Sequence, residues 1–125
     1  MIISDLQKTW LVFVDDKLVG ALTCIIKNKN EAELTGFYVY PSYQGKGIGK
    51  NLYSLALKFS CNRDLVLDIY AHNTNSIEMY NKWGWMLDES RGDNGYFIRH
   101  WPEWPKDLEV RCIYMKLKKN KLQQI

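Results

Sequence analysis

Cysteine is scarce in this chain. It occurs three times, at Cys24, Cys61 and Cys112. The number is odd and no pair is spaced C-x-x-C, which argues against a disulfide framework, a zinc site or a redox motif. Cys24 and Cys112 sit in apolar, strand-like runs, where buried inert thiols are expected. Long hydrophobic runs are also missing. The longest mostly apolar stretch, residues 18–26, falls far short of the ~20 residues a membrane helix needs. The N-terminus carries Asp5 and Lys8 and no apolar signal core, so a cytoplasmic protein with no membrane partner is expected. Nor is there a large excess of one charge. Lys and Arg number 17 against 14 Asp and Glu, a net +3 that is too small to require nucleic acid as a partner. Much of that excess sits in the tail at 116–121. Internal repeats and low-complexity segments are absent.

What remains is an ordinary globular composition, 46% hydrophobic and 25% charged over 125 residues, expected to form one domain spanning 1–125. The chain is organised around residues 37–50, Phe-Tyr-Val-Tyr-Pro-Ser-Tyr-Gln-Gly-Lys-Gly-Ile-Gly-Lys. Phe37 to Tyr40 have strand composition, and Pro41, lacking a donor, ends the ladder. From Ile48 the apolar positions Ile48, Leu52, Leu55, Ala56 and Phe59 recur as on an amphipathic helix. Gly45, Gly47 and Gly49 leave the backbone bare where that helix starts. Unpaired N–H groups, a positive helix end and absent side chains together suit an anion. A Walker loop is excluded because Asn51 follows Gly49-Lys50, and the G-x-G-x-G spacing misses the dinucleotide fingerprint. A nucleotide-binding protein is disfavoured accordingly.

In chain order, residues 9–14 and 18–26 read as a hairpin across Asp15-Asp16-Lys17, with a third strand at 31–40. The loop and first helix run to about Ser60. Residues 65–71 form a strand that should lie parallel to 31–40, as in a right-handed βαβ unit. A second helix is expected from about Asn75 to Trp83, with Asn75 and Glu78 as a capping box and Gly84 as the stop. A short strand follows at 85–89, and the last strand is expected at 108–117. The connection 90–107, rich in Trp, Tyr and Pro, reads as a long flap. The expected fold is mixed α/β in the order β-β-β-α-β-α-β-β.

Gln44, Gly47 and Gly49 spell Gln-x-x-Gly-x-Gly after a strand. This resembles the acyl-CoA pyrophosphate loop of the GNAT N-acetyltransferase superfamily. Asn73, Ser76, Tyr80, Gly84 and Trp85 resemble that family's Asn-x-x-Ala…Tyr-x-x-x-Gly-Phe segment, with Ser76 for Ala and Trp85 for Phe. The resemblance covers roughly residues 9–118. It lacks the usual N-terminal strand and two helices, which shape the acceptor groove in the family, so the substrate half looks abbreviated.

The resemblance implies acetyl-CoA as cofactor. Its pyrophosphate would rest on the backbone of Gln44, Gly45, Lys46, Gly47, Ile48, Gly49 and Lys50, and its pantetheine arm beside Tyr38 and Val39. A backbone N–H near Val39 would stabilise the tetrahedral oxyanion. Asn73 and Ser76 would line the cofactor arm, and Tyr80 would donate the proton to the departing thiolate. Glu33, eleven residues before Gln44, matches the strand glutamate used as base by histone-acetylating members. His72 and a water chain are the other candidates for that role. Tyr80 also reads as a packed tyrosine and Glu33 as an exposed strand residue.

The expected activity is direct acetyl transfer to a primary amine, either a small molecule or a peptide, with no acyl-enzyme step. A non-catalytic acyl-CoA-binding module is the alternative. The aromatics Tyr96, Phe97, Trp101 and Trp104 could hold a cationic amine, form a satellite core or meet a partner. A homodimer is a candidate assembly.

Overall fold

The computed structural model describes residues 6–119. Among these residues are seven strands and two α-helices in a mixed α/β arrangement. The elements are β1 (Gln7–Val14), β2 (Lys17–Ile26), β3 (Glu31–Val39), a 3₁₀ turn (Pro41–Tyr43), α1 (Ile48–Ser60), β4 (Asp64–Tyr70), α2 (Thr74–Lys82), β5 (Met86–Leu87), β6 (Tyr96–Arg99) and β7 (Val110–Leu117). Two compact units divide between Leu65 and Val66. No helix among the described residues is long and apolar enough to cross a membrane.

In the first unit, β1, β2 and β3 form an antiparallel meander. Asp15 and Asp16 make the first turn with φ of 51° and 64°, the left-handed pair that a two-residue hairpin requires. Helix α1 covers one face. A Cβ built on Gly20 would stand 3.2 Å from Ile48 Cγ2 and 3.4 Å from Leu52 Cδ1, so helix and strand approach closely there and a side chain would press on Ile48. Trp10 meets Phe59 edge-on at 5.8 Å, which fixes the inward face of β1 as well. The buried positions of α1 are Leu52, Tyr53, Ala56 and Ser60. Tyr53 is wholly buried while Leu55 is 43% exposed, the reverse of what the aliphatic periodicity suggests. Burying a side chain such as Leu52 contributes about 1.5–3 kcal/mol. Beyond α1, Arg63 donates to the Asn28 carbonyl at 2.7 Å and to the Ser60 carbonyl at 3.0 Å. The Asp64 N–H reaches the Asn30 carbonyl at 2.9 Å, so β4 begins beside the residue that precedes β3.

In the second unit, β7 pairs antiparallel with β5 and with β6, and the Ala71 N–H just after β4 donates to Arg111 O at 2.9 Å. Three sequence expectations need correction here. Helix α2 starts at Thr74 with Asn73 as N-cap, so Asn75 and Glu78 do not form its capping box. The strand expected at 85–89 shrinks to Met86–Leu87, with Trp85 buried before it. The expected flap 90–107 contains β6, a strand not expected from the sequence, so one more strand precedes β7. A tight turn launches β6: Asp93 N–H donates to Tyr96 O at 2.8 Å and Gly95 N–H to Arg91 O at 2.8 Å.

Candidate functional site

The end of β3 is shaped by a bulge. Thr23 pairs with Thr35 and Ala21 with Tyr38, so Gly36 and Phe37 together oppose Leu22. Gly36 has φ +63°, the left-handed conformation that such a bulge uses. One extra residue flips the side-chain alternation. Ala32 and Leu34 are buried before the bulge. After it, Phe37 and Val39 turn toward the first turn of α1, where a Cβ on Gly49 would stand 3.5 Å from Val39 Cγ2 and 3.7 Å from Phe37 Cζ. Tyr38 faces the other way and is 53% exposed. The sequence reading missed this bulge, although a glycine inside a strand was its signal.

Backbone directions at the strand end follow from one bond. The Tyr40 N–H donates to Val19 O at 2.7 Å, so Tyr40 faces β2 and, by the alternation of an antiparallel ladder, Val39 directs its N–H and C=O to the opposite edge. The Gln44 side chain folds back to donate from Nε2 to that Val39 carbonyl at 2.9 Å. The 3₁₀ turn between them is held by Tyr43 N–H to Tyr40 O at 2.8 Å and Gln44 N–H to Pro41 O at 3.2 Å. Gly45 and Gly47 have φ of 78° and 86° and open space where a Cβ would be. Both glycines are therefore demanded by backbone conformation as well as by access.

Gly47 is the N-cap of α1, which has no side-chain cap and no acidic residue in its first turn. The first intrahelical bond is Asn51 N–H to Gly47 O at 3.0 Å. The N–H groups of Ile48, Gly49 and Lys50 precede it at the positive helix end. Lys46 and Lys50 are exposed beside them. Tyr38, Val39 and residues 44–50 are thus gathered at one end of the first unit. Glu33 stands apart, before the bulge, in an ion pair with Lys27 at 3.2 Å. It lies three residues before Gly36, roughly 10 Å along the strand.

In the second unit, Asn73, Ser76 and Tyr80 lie along α2. Asn73 and His72 are exposed and Ser76 is half-buried; the Asn73 side chain makes no cap bond to the helix. His72 stacks on Tyr70 at 5.5 Å. Tyr80 is buried, 5% exposed, with its ring 5.3 Å from Trp85 and 6.0 Å from Trp83. Gly84, at φ 97°, ends the helix. Gly84 N–H donates to Asn81 O at 3.0 Å and Trp85 N–H to Tyr80 O at 2.9 Å, the paired bonds of a Schellman cap.

The aromatic region carries its own charges. Arg99 bonds Asp68 at 2.9 Å and lies over both Phe97 (5.2 Å) and Trp101 (5.3 Å). Burial acts to lower the Arg99 pKa, but the hydrogen bond and charge of Asp68 outweigh it and raise the pKa. Burial also raises the thiol pKa of Cys24, to about 11, and that of Cys112, so neither offers a thiolate nucleophile. No group of three or more His, Cys, Asp or Glu among the described residues could hold a metal ion.

The family model described as "Acetyltransferase (GNAT) family" matches residues 2–85. Among solved structures, nourseothricin acetyltransferase is similar at 24% identity and TM-score 0.72, with 90% of this chain covered. Mutant forms of the spermidine/spermine N-acetyltransferase from Vibrio cholerae are similar at 20% identity and TM-score 0.72, with 98% covered. The PaiA N-acetyltransferase from Thermoplasma acidophilum, solved with coenzyme A, is similar at 23% identity and TM-score 0.65, with 90% covered. The chain spans 65%, 70% and 60% of those three proteins. At these identities the likeness is one of fold. No curated protein matches.

Proposed function

This chain belongs to the acetyltransferase (GNAT) family, and on that premise we propose that it moves the acetyl group of acetyl-CoA directly to a primary amine. The observation that carries the reading is the uncapped N-terminus of α1 behind Gly45 and Gly47. Its free helix-end N–H groups suit a pyrophosphate, and Lys46 and Lys50 add positive charge. Tyr38 and Val39 flank the pantetheine arm, and N–H groups between the Gly36 bulge and Val39 polarise the thioester oxygen.

The amine nitrogen attacks the thioester carbon. A C–N bond forms, the C–S bond breaks, and the leaving thiolate takes a proton from the Tyr80 hydroxyl, which solvent then restores. Asn73 and Ser76 hold the cofactor arm. The amine must shed a proton to attack. Glu33 receives it through water, since its position along β3, three residues before the bulge, is too distant for direct contact. Direct transfer is favoured because both buried thiols resist ionisation.

The relatives named for nourseothricin and for spermidine and spermine suggest where to look for the acceptor. The test is thiol release from acetyl-CoA across polyamines, streptothricin-type antibiotics, amino acids and short peptides, alongside a titration of coenzyme A. Amine-dependent release supports the transferase and names the acceptor class. Binding without release from any amine moves the chain to the non-catalytic acyl-CoA-binding reading. No binding removes the assignment of residues 44–50.

A further inference from the structure

Strand β7 runs between β4 and β6. Its Arg111 carbonyl accepts from the Ala71 N–H just after β4, and on its other edge Arg111 pairs with Ile98 of β6. Two strand spacings, roughly 10 Å, therefore separate β4 from β6. Asp68 on β4 and Arg99 on β6 close that gap over β7, with Arg99 Nη2 donating to Asp68 Oδ1 at 2.9 Å. The small, wholly buried Cys112 of β7 lies within the field of both charges. Phe97 and Arg99 share one face of β6 by the period of two. The guanidinium carbon lies over two rings, 5.2 Å from the centre of Phe97 and 5.3 Å from that of Trp101. Tyr70, two residues after Asp68, shares its face of β4 and is backed by His72.

This pair uses half of what its members offer. A guanidinium presents two N–H forks, one from Nε with Nη2 and one from Nη1 with Nη2. Asp68 takes one Nη2 hydrogen on one oxygen, so one complete fork remains whichever hydrogen it takes. Among the described residues that fork has no acceptor, and Asp68 Oδ2 has no donor. The two side chains are 25% and 29% exposed, so solvent reaches the open positions. A pair that only tied β6 to β4 would gain more from the two parallel bonds of a full fork.

A bare anion at the open fork would meet the charge of Asp68. A bare cation at Oδ2 would meet that of Arg99. A ligand carrying both signs side by side satisfies both groups at once. The 2.9 Å between the partners sets how close those signs must be, which selects an ammonium and a carboxylate on one carbon. We infer that Asp68 and Arg99 bind a free α-amino acid. Its carboxylate takes the open fork of Arg99, its ammonium takes Asp68 Oδ2, and Trp101 and Tyr70 lie beside its side chain. The site belongs to the second unit alone and does not depend on the catalytic reading.

The test is titration of the full chain with the standard L-α-amino acids, read by tryptophan fluorescence and by calorimetry. Saturable binding of at least one is expected. Its analogues lacking the ammonium or lacking the carboxylate should each bind about tenfold or more weakly, the effect of one charged hydrogen bond. Arg99→Lys keeps the charge and loses the fork, and should weaken binding by a similar factor with the far-ultraviolet spectrum retained. Asp68→Asn should let the analogue without the ammonium bind as well as the amino acid itself. Trp101→Phe keeps a ring over Arg99 and should retain affinity while losing most of the fluorescence change. The analogue comparison uses the wild type, so it decides even where a variant fails to fold. Absence of binding by every amino acid, equal binding of either analogue to the wild type, unweakened binding by a folded Arg99→Lys chain, or an unchanged fluorescence response in Trp101→Phe would each overturn the proposal.

Discussion

Trp85 and Tyr80 are joined twice: the Trp85 N–H donates to the Tyr80 carbonyl at 2.9 Å, and their rings lie 5.3 Å apart. The first link ends α2. The second packs the tyrosine ring against the residue that follows the helix stop, the apolar contact that commonly accompanies such a cap. Tyr80 is therefore held in place by backbone and by packing together. That is the rigidity a proton donor needs, and it separates what the ring does from what the hydroxyl does.

Tyr80→Phe keeps the ring and removes the hydroxyl, the proposed acid. Turnover is expected to fall about 10²–10⁴-fold, while coenzyme A affinity is unchanged and stability drops by about 1 kcal/mol. Steady-state rates beside a coenzyme A titration and a urea melt check all three. Unchanged turnover would make Tyr80 a packing residue only. Tyr80→Ala removes the ring as well and should cost about 3–5 kcal/mol of stability.

Gly84 sits at φ 97° where the chain leaves α2. A Cβ there forces a left-handed conformation that L-residues avoid by about 1–2 kcal/mol. Gly84→Ala is expected to lower the urea midpoint by that amount with an unchanged slope. No loss of stability would mean that the Schellman bonds contribute little to holding Trp85 and Tyr80.

Gln44 clamps the Val39 carbonyl from an exposed position. Gln44→Ala frees the loop between strand and helix, and the lost bond is worth about 0.5–1.5 kcal/mol. Coenzyme A should bind about 2–10-fold more weakly, with little change in the melting temperature. Isothermal titration tests this, and an unchanged affinity would show that the loop keeps its shape without the clamp.

Much of this architecture was legible in the sequence because period and punctuation agreed: β-branched runs at β1 and β2, a turn at Asp15-Asp16, and glycines before an amphipathic α1. The misses share a cause, in that a local signal was overruled or hidden by its neighbours. Glu31 to Tyr40 reads as one strand, and only Gly36 betrays the bulge that reverses which side chains face α1. The alternation of β6 spans four residues beside a Trp- and Pro-rich stretch, although Asn94-Gly95 ahead of Tyr96 was a turn signal. Asn73 and Asn75 both suit a helix start, and spacing alone cannot choose between them. Tyr53 replaces Leu55 in the core because the geometry of α1 against the meander, invisible in composition, decides which face is covered. The glycine loop was legible as a local motif, whereas the ion pair that engages Glu33 depends on Lys27 across the β2–β3 turn.

Cys24 gives the fold a dependence on alkaline pH. Burial raises its pKa to about 11 from the ordinary 9.0, with Arg63 pulling more weakly the other way. Above pH 9.0 the unfolded chain releases a thiol proton that the native chain retains. The native state then binds more protons than the unfolded state, and stability falls as pH rises. The contribution is complete below pH 9.0 and is lost by about 11, a change of order 2 kcal/mol. Urea midpoints measured from neutral pH to about 11 should show this decline, and Cys24→Ala should flatten part of it. The buried Cys112 thiol, also raised, accounts for a remainder that Cys112→Ala would remove in turn. Equal alkaline slopes for wild type and Cys24→Ala would show that the thiol ionises as easily inside the fold as outside it, and burial would then not govern its chemistry.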